Sequence, residues 1–216
     1  MIAIEKDREL AAELNVRRAA RGVSQLSAVD GDALQLNWHL LLETHFTTPH
    51  APRPTPHVKI VGNIPYYITS PLIDKALEPP LPERVVFLVQ AEVADRLAAR
   101  PGSKTYGALS VGVQAVARVE KLFTIAPGAF RPPPKVRSAL IRLTPLAEPL
   151  IRQDEIAPFR KFVTAIFSKR RKQLKNAVPG MSEADLRELG FDPQVRPERL
   201  SPREFVQLWR FASRVG

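Results

Sequence analysis

Residues 84–99 read RVVFLVQAEVADRLAA. Val85, Val86, Phe87, Leu88 and Val89 form an unbroken apolar run, as expected of a strand buried on both faces, and AEVADRLAA then reads as a helix. Upstream, residues 57–62 (HVKIVG) predict another strand. Ser70 before Pro71 has the form of an N-cap with proline at the first helical position, opening a helix over PLIDKAL. Nearer the start, MIAIE and VSQLSAV read as strands, with a helix over KDRELAAEL between them that sets Leu10, Ala11 and Leu14 on one side. Downstream, ALSVGVQAVARVEKLFTI alternates as a strand does, and SALIRLTPL supplies one more, ending at Pro145. Strand and helix in alternation predict an α/β fold with a mostly parallel sheet covered by helices on both faces.

After about residue 147 the pattern changes to helices only. One helix is expected over EIAPFRKFVTAIFSKRRKQLKNAV, a second over SEADLREL with Ser182 as N-cap and Gly190 at its C-cap, and a third over SPREFVQLWRFASRV. The chain therefore divides into residues 1–147 and a small all-α part, residues 148–216.

Lys and Arg number 32 against 22 Asp and Glu, a formal charge of +10. That excess points to a polyanion, nucleic acid first and an anionic membrane surface second. No apolar stretch approaches the roughly 18–20 residues of a membrane span. MIAIEKDREL is charged by its fifth residue, so it is not expected to be a signal peptide. The lack of cysteine excludes disulfides and thiolate metal sites and favours a cytosolic, that is cytoplasmic, setting. His39, His45, His50 and His57 all fall between Trp38 and the end of a Pro-rich stretch that reads as a surface connection, and no metal site is expected of them.

Ligands of open α/β sheets bind outside the carboxyl ends of the strands. Glu5 stands at such an end and could accept both hydroxyls of a ribose, or be a solvated charge at a helix start. Asp32, in DGDAL, could accept from the amino group of an adenine, or close an Asx turn. The sharper signal is Asn63-Ile64-Pro65-Tyr66. The amino nitrogen of an adenine is flat, its lone pair delocalised into the ring. To be alkylated it needs acceptors that draw on its hydrogens and turn the lone pair outward. An Asn side-chain oxygen and a backbone carbonyl beside a proline of preset φ supply two, and the Tyr66 ring adds a stacking surface. Phe130, before three stiff prolines, could close the other face of the base, or anchor a loop in the core. Finally, residues 156–178 carry Lys and Arg but no acid, with Phe159, Phe162, Val163, Ile166, Phe167 and Leu174 spaced for one buried side. Charge of one sign this dense is relieved by a polyanion, and Lys169, Arg170, Arg171, Lys172 and Lys175 are candidate phosphate contacts.

NIPYYITSPLI, VQAEVADRLAARPGSKTYGALSV, PGAFRPPPKVRSALIRL and FSKRRKQLKNAV occur in that order. Together they resemble the ribosomal RNA adenine dimethyltransferases, within which RPGSKTYGALSV is more similar to the small-subunit (KsgA) type than to the antibiotic-resistance (Erm) enzymes. The resemblance runs over nearly the whole chain. It implies a Rossmann-like, S-adenosylmethionine-dependent methyltransferase with a helical C-terminal domain. It also implies N6,N6-dimethylation of two adjacent adenosines near the 3′ end of 16S rRNA, on the pre-30S particle during ribosome biogenesis. By resemblance, Glu5 takes the cofactor ribose, Asp32 and Ala33 its adenine, and Asn63 borders it. Asn63, Pro65 and Tyr66 then hold the target base, and Phe130 stacks on it. No metal is implied, and no strong general base. The family's Gly-rich loop and the strand before it have no counterpart here, so the methyltransferase part is expected to lack about 50–60 residues, the length of such strand-plus-helix units. A non-catalytic rRNA-binding or assembly role, or an Erm-like action on 23S rRNA, are the alternatives.

Overall fold

A computed structural model describes residues 1–46, 58–79 and 81–215. The chain forms two compact units, one of residues 1–57 with 70–75, the other of residues 58–69 with 76–216. The Pro-rich stretch with His50 and His57 lies outside the described residues.

In the first unit, β1 (Ile2–Glu5) runs parallel to β2 (Ser27–Asp30), from Ile2 opposite Ser27 to Glu5 opposite Asp30. Between them lies α1 (Arg8–Ala20), whose first turn is capped by the Asp7 carboxylate accepting from the N–H groups of Glu9 and Leu10 at 2.9 and 3.1 Å. The Asn15 carboxamide donates to the Ala28 carbonyl at 3.0 Å and accepts its N–H at 3.3 Å, satisfying a β2 residue as a neighbouring strand would. The expected apolar side of α1 is only partly used: Ala11 is buried, whereas Leu10 is exposed. Helix α2 (Trp38–Phe46) follows β2.

The second unit begins with β3 (Lys59–Asn63), followed by a 3-10 turn (Tyr66–Ile68); residues 70–75 of the next helix, α3 (Thr69–Ala76), belong to the first unit. Ser70, predicted as the cap, instead lies inside the helix as its second residue. The helix starts at Thr69, whose hydroxyl donates to the Tyr66 carbonyl at 3.2 Å, and Pro71 falls in the first turn, where no N–H is needed. Then come β4 (Arg84–Gln90), α4 (Ala91–Leu97), α5 (Ala108–Gln114), β5 (Ala117–Ile125) and β6 (Ser138–Pro145). The sheet order is β3-β4-β6-β5. Strand β3 is parallel to β4, but β6 is antiparallel to both β4 and β5, so the second half of the sheet departs from the parallel expectation. The cause is the connection: residues 126–137 join β5 to β6 as a loop, without the crossover helix that parallel neighbours require.

Residues 108–114, read from sequence as strand, are helical. Val111 and Val113 are both buried, and a segment covered on all sides shows neither a two-residue nor a helical period. In β4, Val85, Phe87 and Val89 are buried whereas Val86 and Leu88 are half-buried, so one face of the sheet is sealed and the other partly open.

Four helices complete the unit: α6 (Ile156–Ser168), α7 (Leu174–Ala177), α8 (Glu183–Glu188) and α9 (Pro202–Val215). The single long helix expected over 155–178 is broken after Ser168. Leu174 and Lys175 give their N–H groups to the carbonyls of Val195 and Pro193, at 2.7 and 3.1 Å, so tertiary backbone bonds win over helix propagation. Ser182 caps α8 as predicted, its hydroxyl accepting the Asp185 N–H, and Gly190 ends that helix at φ +83°, with the Phe191 N–H reaching back to Leu186.

Candidate active site

At the end of β3, the Ile64 N–H donates to the Leu88 carbonyl at 3.1 Å, carrying the parallel ladder one residue past Asn63. Asn63 itself is exposed and Ile64 is buried. Gly62 makes room for that bend, since a Cβ there would stand 2.7 Å from the Ile64 side chain. Pro65 holds φ −54° and gives its own carbonyl to the Ile68 N–H at 3.1 Å, which leaves the Ile64 carbonyl, before the proline, as the candidate acceptor.

Tyr66 is half-buried and its hydroxyl shares a 3.0 Å hydrogen bond with Ser138 Oγ. Ser138 is buried, opens β6, and is register partner to Gln90 in β4 and Ile125 in β5. The 126–137 loop leaves the sheet after Ile125 and returns at Ser138, and half-buried Phe130 is on it, its N–H bonded to the Pro127 carbonyl at 3.1 Å. Ser138 therefore gathers Tyr66 and the base of the Phe130 loop at one end of the sheet. Sequence reading passed over it. The available signal was a hydroxyl opening an apolar strand, a buried polar group that requires a partner.

Glu5, Asp32 and Ala33 belong to the first unit, and Asn63, Pro65, Tyr66 and Phe130 to the second. Glu5 is half-buried at the carboxyl end of β1, with Oε1 accepting the Asp7 N–H at 2.9 Å. Asp32 does close an Asx turn, Oδ1 taking the Leu34 N–H at 2.9 Å, while Oδ2 takes the Lys6 ammonium, also at 2.9 Å. These two donors, the ammonium first, hold the Asp32 carboxyl below the usual carboxylate range. The turn is fixed from outside as well: the Ala33 carbonyl accepts the Trp38 indole N–H at 2.9 Å, and the Leu34 carbonyl accepts the Lys75 ammonium at 3.0 Å. Turn and ligand readings of Asp32 are compatible, because each carboxylate oxygen has a second lone pair.

The candidate phosphate contacts divide. Arg170 donates to the Lys104 carbonyl at 2.9 Å and stands 3.9 Å from Glu198, and Lys175 is paired with Glu183 at 2.7 Å. Lys169, Arg171 and Lys172 are exposed, on the turn after α6 and not on a helix face. His45 is bonded to Ser27 Oγ at 3.1 Å and to the Leu41 carbonyl at 2.9 Å. Among the described residues no group of three or more His, Asp or Glu side chains could hold a metal ion, and no helix is long and apolar enough to cross a membrane.

Residues 1–212 match the family described as Ribosomal RNA adenine dimethylase. The chain is 40% identical over 208 residues to the Ribosomal RNA small subunit methyltransferase A of Hahella chejuensis, covering 95% of this chain and 72% of that protein. To the Pseudomonas aeruginosa protein of the same name it is 40% identical over 207 residues, covering 95% and 73%. Among solved structures it is similar to a dimethyladenosine transferase from Plasmodium falciparum, with a TM-score of 0.77, 25% identity, and 100% and 82% of the two chains covered. The 23S rRNA methyltransferase ErmE shares the fold, with a TM-score of 0.63, 24% identity, and 98% and 81% covered.

Proposed function

Since the chain belongs to the ribosomal RNA adenine dimethylase family, and is thus a methyltransferase of α/β Rossmann-like fold, we propose that it dimethylates N6 of two adjacent adenosines near the 3′ end of small-subunit rRNA. The substrate is the 16S rRNA of the pre-30S particle, the methyl donor S-adenosylmethionine, and the setting the cytoplasm. The observation that carries this reading is the end of β3: an exposed Asn63, a proline-set turn, and a Tyr66 pinned by its hydroxyl to Ser138.

The chemistry follows from those groups. The Asn63 Oδ1 and the Ile64 carbonyl accept from the two N6 hydrogens, which draws the amine out of conjugation and turns its lone pair outward. Tyr66 bounds one face of the base, and its bond to Ser138 lets it do so without losing rotamer freedom on binding. Phe130 closes the other face. Orientation supplies most of the rate, since a well-aligned pair gains on the order of 10⁵ M or more in effective molarity.

Glu5 and Asp32 fit the donor. They follow two paired parallel strands at their carboxyl ends, Glu5 has one oxygen untouched by Asp7, and the ribose and adenine of an adenosyl group require acceptors of that kind. Ala33 follows Asp32 in the same turn and borders the same ligand. When bound, S-adenosylmethionine supplies an electrophilic methyl carbon. Residues 148–216 form the RNA-binding part, with Lys169, Arg171 and Lys172 meeting phosphates while Arg170 and Lys175 set the frame.

The test is mass spectrometry of small-subunit rRNA from particles incubated with the protein and S-adenosylmethionine. Two dimethylated adenines are expected with the wild type and none with Asn63→Ala, whose cofactor affinity stays within a few-fold. Methylation that survives the substitution, or cofactor binding that falls with it in parallel, rules out the base-clamping role of Asn63.

A further inference from the structure

Two features beside Tyr66 are not used by the chemistry above. The first is Tyr67. Consecutive residues of a 3-10 turn point about 120° apart, so the ring next to the pinned Tyr66 faces elsewhere, and Tyr67 is 80% exposed. The second is the charge of the 126–137 loop. Arg131, Lys135 and Arg137 are all exposed, and the loop contains no acid. It is also stiff, with four prolines and its two ends joined by the pairing of Ile125 with Ser138. A cation on such a loop loses little freedom when it meets a ligand. The two features are tied to one another, because Arg137 precedes Ser138 and Tyr67 follows Tyr66, and those two neighbours share the 3.0 Å hydrogen bond.

Exposed aromatic rings interleaved with cations fit single-stranded nucleic acid, in which every base has a face to stack and every linkage a phosphate to neutralise. We infer that Tyr67 and the cations Arg131, Lys135 and Arg137 form a landing surface for the single-stranded RNA flanking the target adenine, the ring stacking on a neighbouring base and the cations meeting its phosphates. This rests on the adenine-directed reading of the site, and it adds a role to residues that the base clamp leaves idle. Tyr67 acts as a positioning residue: it orders the strand so that the adjacent base enters beside Asn63.

Fluorescence anisotropy of a labelled single-stranded RNA carrying two adjacent adenosines tests it on the full chain. Tyr67→Ala is expected to weaken binding roughly tenfold, as the loss of one base–aromatic stack does, with Tyr67→Phe close to wild type. Exchanging Arg131, Lys135 and Arg137 together for Gln should lower the slope of log affinity against log salt by about 2, at about 0.7 per phosphate contact. Because these side chains are exposed, circular dichroism should show unchanged folding in every variant. Tyr67→Ala within twofold of wild type, or a triple variant with the wild-type salt slope, overturns the landing surface and leaves the base clamp standing. A wild type that binds no RNA overturns both.

Discussion

Asp32 shows how one side chain can serve a turn and a ligand together, and its titration makes this measurable. The Lys6 ammonium and the Leu34 N–H favour the ionised carboxylate, so its folded pKa is depressed. A depressed carboxylate contributes stability above its unfolded pKa of about 3.9 and loses it as pH falls through the lower folded value. Asp32→Asn keeps an oxygen for the Leu34 N–H but discards the charge. We expect the stability gap between wild type and Asp32→Asn, measured by urea unfolding, to be constant above about pH 5 and to close in acid. A gap that widens in acid would refute the assignment. At this scale the sequence was most legible where chemistry is local. An Asn-x-Pro-Tyr run after a strand announces its own turn, and DGDAL announced its Asx turn as one of two readings. Lys6 and Ser138 were illegible because each matters through a partner 26 and 72 residues away, which no window reveals.

Among elements, α6 and the turn after it show charge sorted by tertiary structure. Arg170 and Arg171 are neighbours of one type, yet Arg170 faces the protein and Arg171 faces solvent. Glu198 Oε2 is buried with no hydrogen-bond donor, and the Arg170 guanidinium 3.9 Å away is the cation beside it. Arg170→Ala removes both that cation and the donor to the Lys104 carbonyl, and should cost about 1–3 kcal/mol in thermal or urea unfolding, as the loss of a charged hydrogen-bond donor does. Replacing Lys169, Arg171 and Lys172 by Gln should leave stability within about 0.5 kcal/mol and instead lower RNA affinity and its salt slope. If both changes move the same observable, the division between frame and phosphate contact is wrong. Helical spacing correctly marked Phe159, Val163 and Ile166 as the buried side of α6. It could not mark the end at Ser168, because Lys and Arg are good helix formers and the break comes from bonds to residues 193 and 195. The antiparallel return of β6 was hidden for a related reason: an apolar strand has the same composition in either direction, and only the loop between β5 and β6 decides.

Across the larger unit, strands give way to helices near residue 147, but the packing does not stop there. Tyr106, from the connection between α4 and α5, is fully buried, and its hydroxyl donates to the Leu200 carbonyl at 2.8 Å, just before α9. Its ring meets Phe167 of α6 edge-on at 6.2 Å, and Phe167 stacks on Phe205 of α9 at 5.4 Å. A single side chain from the strand-bearing half thus plugs the aromatic centre of the helical half. Burial explains why its phenol is pushed well above the ordinary tyrosine range: a charge there would have no water. Two substitutions separate the contributions. Tyr106→Phe keeps the ring and leaves the Leu200 carbonyl without its donor, and should cost about 1 kcal/mol. Tyr106→Ala also opens a cavity between the halves and should cost about 3–5 kcal/mol. Because the ring belongs to both halves, the loss should be shared. Trp209 on α9, packed edge-on against Phe159 at 5.7 Å, reports the helices by fluorescence, and hydrogen exchange of the β4 and β6 amides reports the sheet. Both are expected to shift together in Tyr106→Ala. A helical signal that melts early over an unchanged sheet would mean that residues 148–216 fold as a separate body merely resting on Tyr106.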